Sequence, residues 1–460
     1  MKTKPAHLMR KSLILILLAL IAFIGCKNEA NNEQKIINYQ EVKHPEWSKN
    51  ANIYEVNIRQ YTPEGTFNAF AEHLPRLKEL GVDILWLMPI HPIGEKNRKG
   101  SMGSYYSVKD YFGINPEFGT EEDFKNLVNQ IHELGMYVII DWVANHTAWD
   151  NQLIYDHPEW YSKNEEGEII APVEDWSDVA DLNYDVPEVR KYMTDALIYW
   201  VKDFNIDGYR CDVAGMVPTD FWNNARYELD KIKPVFMLAE ANEPELHEFA
   251  FDMTYAWDLH FLWNEMAQGK KDMEDLVNQL EKEKTKYNTS DYRMMFTSNH
   301  DENTWKGTVN ERLGEATEAF AVLSTTLPGM PLIYSGQEAC LDKQLSFFEK
   351  DTINWEKDCS MFEFYKALLT LKKNNKALWN GEFGGTMERI ETSAEEHIFA
   401  FSREKDEHQV ITILNLSDDE VEFEFVNKLN SNQLFELFSE EQITTKYTMA
   451  PWDYRVYRNK

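Results

Sequence analysis

Four acidic residues stand where short apolar runs give out: Asp141 after YVII, Asp212 after GYRC, Glu240 after VFMLA and Asp301 after RMMFTSNH. They are 71, 28 and 61 residues apart. Arg210 lies two positions before Asp212, and His146 and His300 fall in the same segments. A single Asp at a strand end is usually a helix cap. Several carboxylates in one water-poor cleft are different, because like charges repel there. Such a cluster persists where a reaction or a metal uses it. Arg210 beside Asp212 would favour the ionised carboxylate, as a nucleophile requires. Glu240, facing other acids and aromatic walls, would hold its proton more tightly, as a donor requires. Two carboxyl groups with separated proton affinities are what glycoside hydrolysis needs.

These residues have to be brought together by the elements that carry them. Residues 52–60, 84–90, 137–143, 208–214 and 235–241 read as strands, with weaker copies near 253–258, 293–299 and 331–335. Helical patterns separate them. Phe67, Phe70, Leu74, Leu77 and Leu80 form one apolar face, and Thr120 with Asp123 has the form of a capping box before Phe124, Leu127, Val128 and Ile131. Further helices fit 188–203, 219–232 and 361–375. Continuous apolar strands separated by helices predict a parallel sheet, and eight such units predict an α/β fold, a closed (β/α)8 TIM barrel. In a barrel the reactive groups gather at the C-terminal rim, where all four acids stand. The link at about 147–187, after the third strand, is long and rich in Trp, Asp, Glu and Tyr, and predicts a small inserted subdomain over the mouth. After residue 378 the texture changes. Runs at 396–402, 409–415, 420–426 and 452–457 predict a C-terminal antiparallel β-sandwich over 379–460, leaving 51–378 to the barrel.

With 47 basic against 78 acidic residues the chain carries a net charge of −31, which argues against a nucleic-acid partner. Its 14 Trp, 22 Tyr and 25 Phe exclude an unfolded acidic chain. Residues 1–25 combine Lys2, Lys4, Arg10 and Lys11 with an apolar run from Ser12 to Ile24, the form of a secretory signal. Phe23-Ile24-Gly25-Cys26 resembles a bacterial lipobox, so Cys26 is the expected lipidation site and residues 26–50 a tether. That implies an exported bacterial lipoprotein of the cell envelope, held to a membrane by an N-terminal lipid anchor. Cys211, Cys340 and Cys359 have no zinc-like spacing and are expected as isolated buried thiols, although Cys340 and Cys359 could pair in an oxidising envelope.

The runs DWVANH (141–146), GYRCDVA (208–214), MLAEA (237–241) and FTSNHD (296–301) resemble the four signature regions of the α-amylase family, glycoside hydrolase family 13. ADLNYDVPEV (180–189), GSYYSVKDY (103–111) and LPGMPLIYSGQE (327–338) resemble three of its other segments. The resemblance implies a retaining hydrolase that cleaves α-1,4-glucosidic bonds of starch-like glucans and maltooligosaccharides. It makes Asp212 the nucleophile, Glu240 the acid/base and Asp301 the acid that holds the sugar's 2- and 3-hydroxyls. It makes Arg210 the residue that orients the nucleophile, and His146 and His300 hydrogen-bond donors to the sugar. Tyr106 becomes the platform beneath that sugar, and Asp141 a structural acid. Rival enzyme readings are a neopullulanase or cyclomaltodextrinase, an α-1,6-glucosidase and a 4-α-glucanotransferase. A glycan-binding, non-enzymatic relative would predict decayed acids, and all three are present. No cofactor is required. Asn145 and Asn183 match two calcium positions of the family, but Gly215-Met216 stands where many members carry Lys-His, so the calcium match is incomplete.

Overall fold

The computed structural model describes residues 38–356, 359–429 and 433–459. The expected signal segment and the expected lipidation site, Cys26, lie outside these residues. Eight parallel strands close into a barrel: Ile53–Val56, Ile84–Leu87, Tyr137–Trp142, Gly208–Cys211, Phe236–Ala239, Met253–Tyr255, Tyr292–Phe296 and Met330–Tyr334. The first strand pairs with both the second and the eighth, Ile53 opposite Ile84 and Leu332, which removes every edge.

The strands read as unbroken apolar runs because both of their faces are buried. Alternation along each one divides its side chains between two cores. Ile53, Ile84, Trp86, Ile139, Leu238 and Phe296 pack inside the barrel. Tyr54, Leu85, Leu87, Ile140 and Tyr209 pack outward, against the helices. The same parity aims Glu55, Asp141, Arg210, Asp212 and Glu240 inward at the upper end. Gly208 opens the fourth strand at φ 148°, where a Cβ would lie 1.9 Å from the Phe236 carbonyl oxygen. Only glycine allows the strands that carry Arg210 and Glu240 to come so close.

The helix expected over Phe67–Leu80 is two helices, Phe67–Ala71 and Leu74–Leu80. Pro75 is the cause: without an N–H and with a ring against the preceding turn, it restarts a helix and cannot continue one. The capping box at Thr120 forms as expected. Its hydroxyl accepts from the Asp123 N–H at 3.2 Å, and the Thr120 N–H donates to Asp123 at 2.8 Å. The segment after the third strand folds as a subdomain around an antiparallel pair, His146–Ala148 with Val179–Asp181.

Beyond the barrel, a five-stranded and a two-stranded antiparallel sheet share one apolar core, in which Ile398, Ile411 and Ile413 meet Val421, Phe423 and Met449. Three strands had no sequence counterpart: Met387–Arg389, Leu434–Glu436 and Lys446–Met449 are too short to show an alternation.

Two further expectations change. The tether through residue 50 is folded over its last part. The Val42 N–H reaches Glu248, His44 Nδ1 lies 2.8 Å from Asp252, and Trp47 stacks on Tyr137 at 3.9 Å. Tyr137 and Phe236 begin their strands, so Trp47 covers the lower, N-terminal end of the barrel interior. Cys340 and Cys359 form a disulfide and are not isolated thiols, while Cys211 is a buried thiol. The loop after the eighth strand folds back and brings the two Cα atoms to 6.0 Å, within bridging range.

Candidate active site

The inward-facing groups at the upper rim are organised by one cation. Arg210 is fully buried, and its Nη1 donates to Asp141 at 2.9 Å and to Asp212 at 2.8 Å. Its Nη2 lies 2.8 Å from Glu240 Oε2 in an ionic contact, and its Nε donates to the Tyr255 hydroxyl at 3.2 Å. The two ends of a single planar guanidinium therefore hold Asp212 and Glu240 side by side. Glu240 Oε2 also accepts from the Val213 N–H at 2.8 Å. Val213 sits at φ 37°, a left-handed conformation that costs a β-branched residue energy. Strain of that kind, one residue past Asp212, belongs to functional sites.

A second chain of contacts leads to Asp301. Asp141 Oδ2 accepts from Trp86 Nε1 and from the Tyr106 hydroxyl, each at 3.1 Å. The Tyr106 oxygen lies 2.8 Å from His300 Nε2, and His300 Nδ1 lies 2.5 Å from Glu55. His300 Nε2 is 3.4 Å from Asp301, whose other oxygen accepts from Trp305 Nε1 at 3.2 Å. Asp212, Glu240, Asp301, Tyr106, His146 and His300 all line a single cleft of about 510 Å³. Asp141 and Arg210 lie beneath it with no exposure. A larger groove of about 820 Å³ runs between the barrel and the C-terminal sheet past Trp452 and Tyr454, without a comparable cluster of buried acids.

The electrostatics of the rim are frustrated. Burial pushes Glu240 up to about 7 against the attraction of Arg210, and the charges of Asp212 and Asp301 push it further. Burial likewise pushes Asp212 and Asp141 up to about 6, with Arg210 opposing. The expectation for Glu240 thus holds. For Asp212 the guanidinium does favour the ionised form, but burial outweighs it. His300 is held up to about 9: burial lowers it, and the carboxylates of Asp301 and Glu55 more than reverse this. His146, lacking such partners, is lowered by burial to about 4 and is neutral at pH 7. A buried acid at the opposite end of the barrel behaves otherwise. Asp252 is also desolvated, yet Arg226, His44 and the Met237 N–H hold its carboxyl below the usual range. Asp252 is satisfied by its partners, and the acids of the cleft are not.

Asn145 and Asn183 do not join the cleft. Asn145 Nδ2 faces Asp181 at 3.4 Å, and the Asn183 side chain accepts from the Asp185 N–H at 2.9 Å. Among the described residues no three His, Cys, Asp or Glu side chains converge as a metal site. The Asp181 carboxylate and the two asparagine amides supply few of the roughly six to eight oxygens that a calcium ion takes.

The description "Alpha amylase, catalytic domain" matches residues 29–167 and 152–361. The chain belongs to the α-amylase family. All four rim acids lie within the matched residues. The crystal structure of an alpha-amylase from Lactobacillus plantarum superposes with a TM-score of 0.81 at 32% identity, over 90% of this chain and 100% of that one. A noncanonic maltogenic alpha-amylase from Thermotoga neapolitana gives 0.79 at 31% identity, over 90% and 97%. An alpha-amylase of Haloarcula japonica is 26% identical over 394 residues, 82% of this chain but only 56% of that protein, so this chain spans little more than half of that relative.

Within this α-amylase-family site, sequence reasoning missed Glu55, Trp86, Tyr255 and Trp305. Glu55 is a carboxylate in a strand whose every residue is buried. It has no exposure, and it carries the proton-rich face of His300. Glu55→Gln should therefore lower the His300 pKa from its raised value, followed by NMR titration of the ring. It should also reduce kcat/KM by about tenfold, because the ring loses the partner that fixes its orientation.

Proposed function

We propose that the protein is a retaining α-glucan hydrolase acting on α-1,4-glucosidic bonds of starch-like chains and maltooligosaccharides. Asp212 attacks the anomeric carbon as the bond to the leaving oxygen breaks, and Glu240 gives that oxygen its proton. The product of this step is a glycosyl ester on Asp212. Glu240, now ionised, takes a proton from water, whose oxygen attacks the same carbon and releases Asp212. Asp301 and the charged His300 hold hydroxyls of the reacting sugar, and neutral His146 adds a further hydrogen bond. The Tyr106 ring supports the sugar's apolar face. Arg210 orients the nucleophile, and Asp141 orients Arg210.

The observation that carries this assignment is the shared guanidinium. Two carboxylates held by one Arg lie side by side, so that donor and nucleophile can act on the same glycosidic bond. Their order of proton affinity, Glu240 above Asp212, matches donor and nucleophile. The name of the Thermotoga relative, a maltogenic alpha-amylase, supports the substrate class. An NMR time course on maltoheptaose should show the α-anomer first; β-anomer first would exclude the two-step route.

We also propose export as a lipoprotein modified on Cys26. Support comes from the basic and apolar pattern of residues 1–25 and from the Cys340–Cys359 disulfide, a bond of oxidising compartments. Cys26→Ala should move the protein from the membrane to the soluble fraction of its host, and an unchanged membrane fraction would refute the anchor.

A further inference from the structure

The loop after the second barrel strand does not stand free above the cleft. At its tip Lys99 Nζ donates to the Asp175 carbonyl at 2.7 Å and pairs with the buried carboxylate of Asp178 at 3.0 Å, both in the inserted subdomain. Two residues further on, the contacts turn to the loop after the eighth strand. The Ser101 N–H donates to Glu349 at 2.8 Å, the Ser101 hydroxyl bonds the other oxygen of that carboxylate, and the Met102 N–H donates to the Phe348 carbonyl at 3.0 Å. Gly100, at φ 62°, leaves no room for a side chain, since a Cβ there would lie 2.5 Å from Phe348 Cβ. From below, Arg59 donates to the Gly103 carbonyl at 3.0 Å and to that of Met102 at 3.2 Å. The eighth-strand loop is itself anchored to the turn after Asp301. Asn303 accepts from the Leu345 N–H at 2.9 Å and donates to the Lys343 carbonyl at 3.0 Å. Inserted subdomain, second loop, eighth loop and the turn after Asp301 thus form one continuous latch.

The place of this latch on the barrel decides what it blocks. The first strand lies between the second and the eighth, so a bridge joining their loops arches over the first strand. In an eight-stranded ring the first strand faces the fifth, and the fifth carries Glu240. Because Glu240 protonates the leaving oxygen, the departing chain lies on its side of the cleft, and the latch stands across the other side. Its inner face is aromatic. Phe347 lies parallel to Tyr106 with ring centres 6.1 Å apart, and Trp305, 54% exposed, leans over Phe347 at 5.3 Å. Phe348 follows at 5.0 Å from Phe347, in the part of the wall that Met102 and Gly100 close. Tyr106, Phe347 and Trp305 line the same cleft of about 510 Å³, and these rings offer the faces on which sugars stack.

We infer that the latched loops close the glycone end of the cleft after two glucosyl units, so that the enzyme works from non-reducing chain ends and releases maltose. This rests on the roles given above to Glu240 and Asp301, and it adds the direction and length of the cut. Each turnover consumes one water and yields maltose and a chain two units shorter. The latch is also a specificity device, since a chain continuing past the second unit would collide with Phe348 and Met102, whose positions are fixed by backbone hydrogen bonds.

The test uses the whole protein with maltoheptaose and with a maltoheptaoside whose non-reducing end is capped on its 4- and 6-hydroxyls. The expected result is maltose as the first product from the free oligosaccharide, and cleavage of the capped one slower by about 100-fold. In the double variant Ser101→Ala/Glu349→Ala, which unfastens the latch, products longer than maltose should increase several-fold at early times and the capped substrate should become cleavable. Mixed oligosaccharides from the wild type, with equal rates on capped and uncapped chains, would overturn the closed end while leaving retaining hydrolysis intact. A wild-type enzyme that releases maltose, with an intact double variant that gives the same products and rejects the cap, would overturn the role of the latch. Failure to cleave either chain would remove the hydrolase assignment and this inference with it, and the anomer assay identifies that case.

Discussion

Asp212→Asn should silence the enzyme without unfolding it. The amide keeps the size of the carboxylate and can still accept from Arg210, but it cannot form the glycosyl ester, so kcat should fall by roughly 10⁴-fold or more, about 5 kcal/mol of barrier. Stability should move the other way or stay put. Burial and the charge of Asp141 hold the Asp212 carboxyl at a raised pKa of about 6, which means that at pH 7 the fold carries its ionised form at a cost. Asn removes that cost, and Arg210 keeps Asp141 and Glu240 as partners. Activity loss with an unchanged or higher melting temperature is the pattern of a residue that is kept for chemistry. Thermal melts and rates on maltoheptaose measure both. A variant near wild-type activity would remove Asp212 from the nucleophile's role, and one that melts well below the wild type would refute the cost assigned to its buried charge.

Most of the site could be found from one sequence because its acids interrupt apolar runs. A strand buried on both faces is monotonous, and Asp141, Asp212, Glu240 and Asp301 mark where that monotony ends. Glu55 obeys the same physics but sits in NIYEVNIRQ, where neighbouring polar residues hide which side chain faces inward. Its direction follows only from Ile53, whose place inside the barrel is fixed by its partners Ile84 and Leu332, far along the chain. The same limit applies to the latch: Ser101 and Glu349 are polar residues on separate exposed loops, 248 positions apart, and nothing local in either pairs them. Trp47 was lost for a related reason. One aromatic in a polar stretch looks like part of a tether until the open end of a barrel is there to receive it. Pro75, by contrast, announces its break locally and was overridden by an apolar face that continues across it. Periodicity records what a segment buries, and it does not require the segment to be one helix.

Glu240→Gln should separate the proton donor from the nucleophile. On ordinary oligosaccharides kcat should fall by about 10³-fold, within the range of a lost general acid. An α-maltosyl fluoride needs no proton on its leaving group, so its first step should proceed at close to the wild-type rate. The second step then stalls, because no base remains to activate water, and the sugar should accumulate on Asp212 as a mass increase of the intact protein. Azide, which attacks without giving up a proton, should restore turnover. The pH profile carries the same information with opposite signs on its two limbs. Asp212 must be ionised, so the wild-type rate falls as pH drops through about 6; Glu240 must be protonated, so it falls as pH rises through about 7. Burial and neighbouring carboxylates raise both groups against Arg210, and Glu240, which starts from the higher ordinary value, stays the higher. The variant should lose the alkaline limb and keep the acid one. Were the alkaline limb to survive with Gln at position 240, the proton would have to come from another group, and Glu240 would be left as a binding residue.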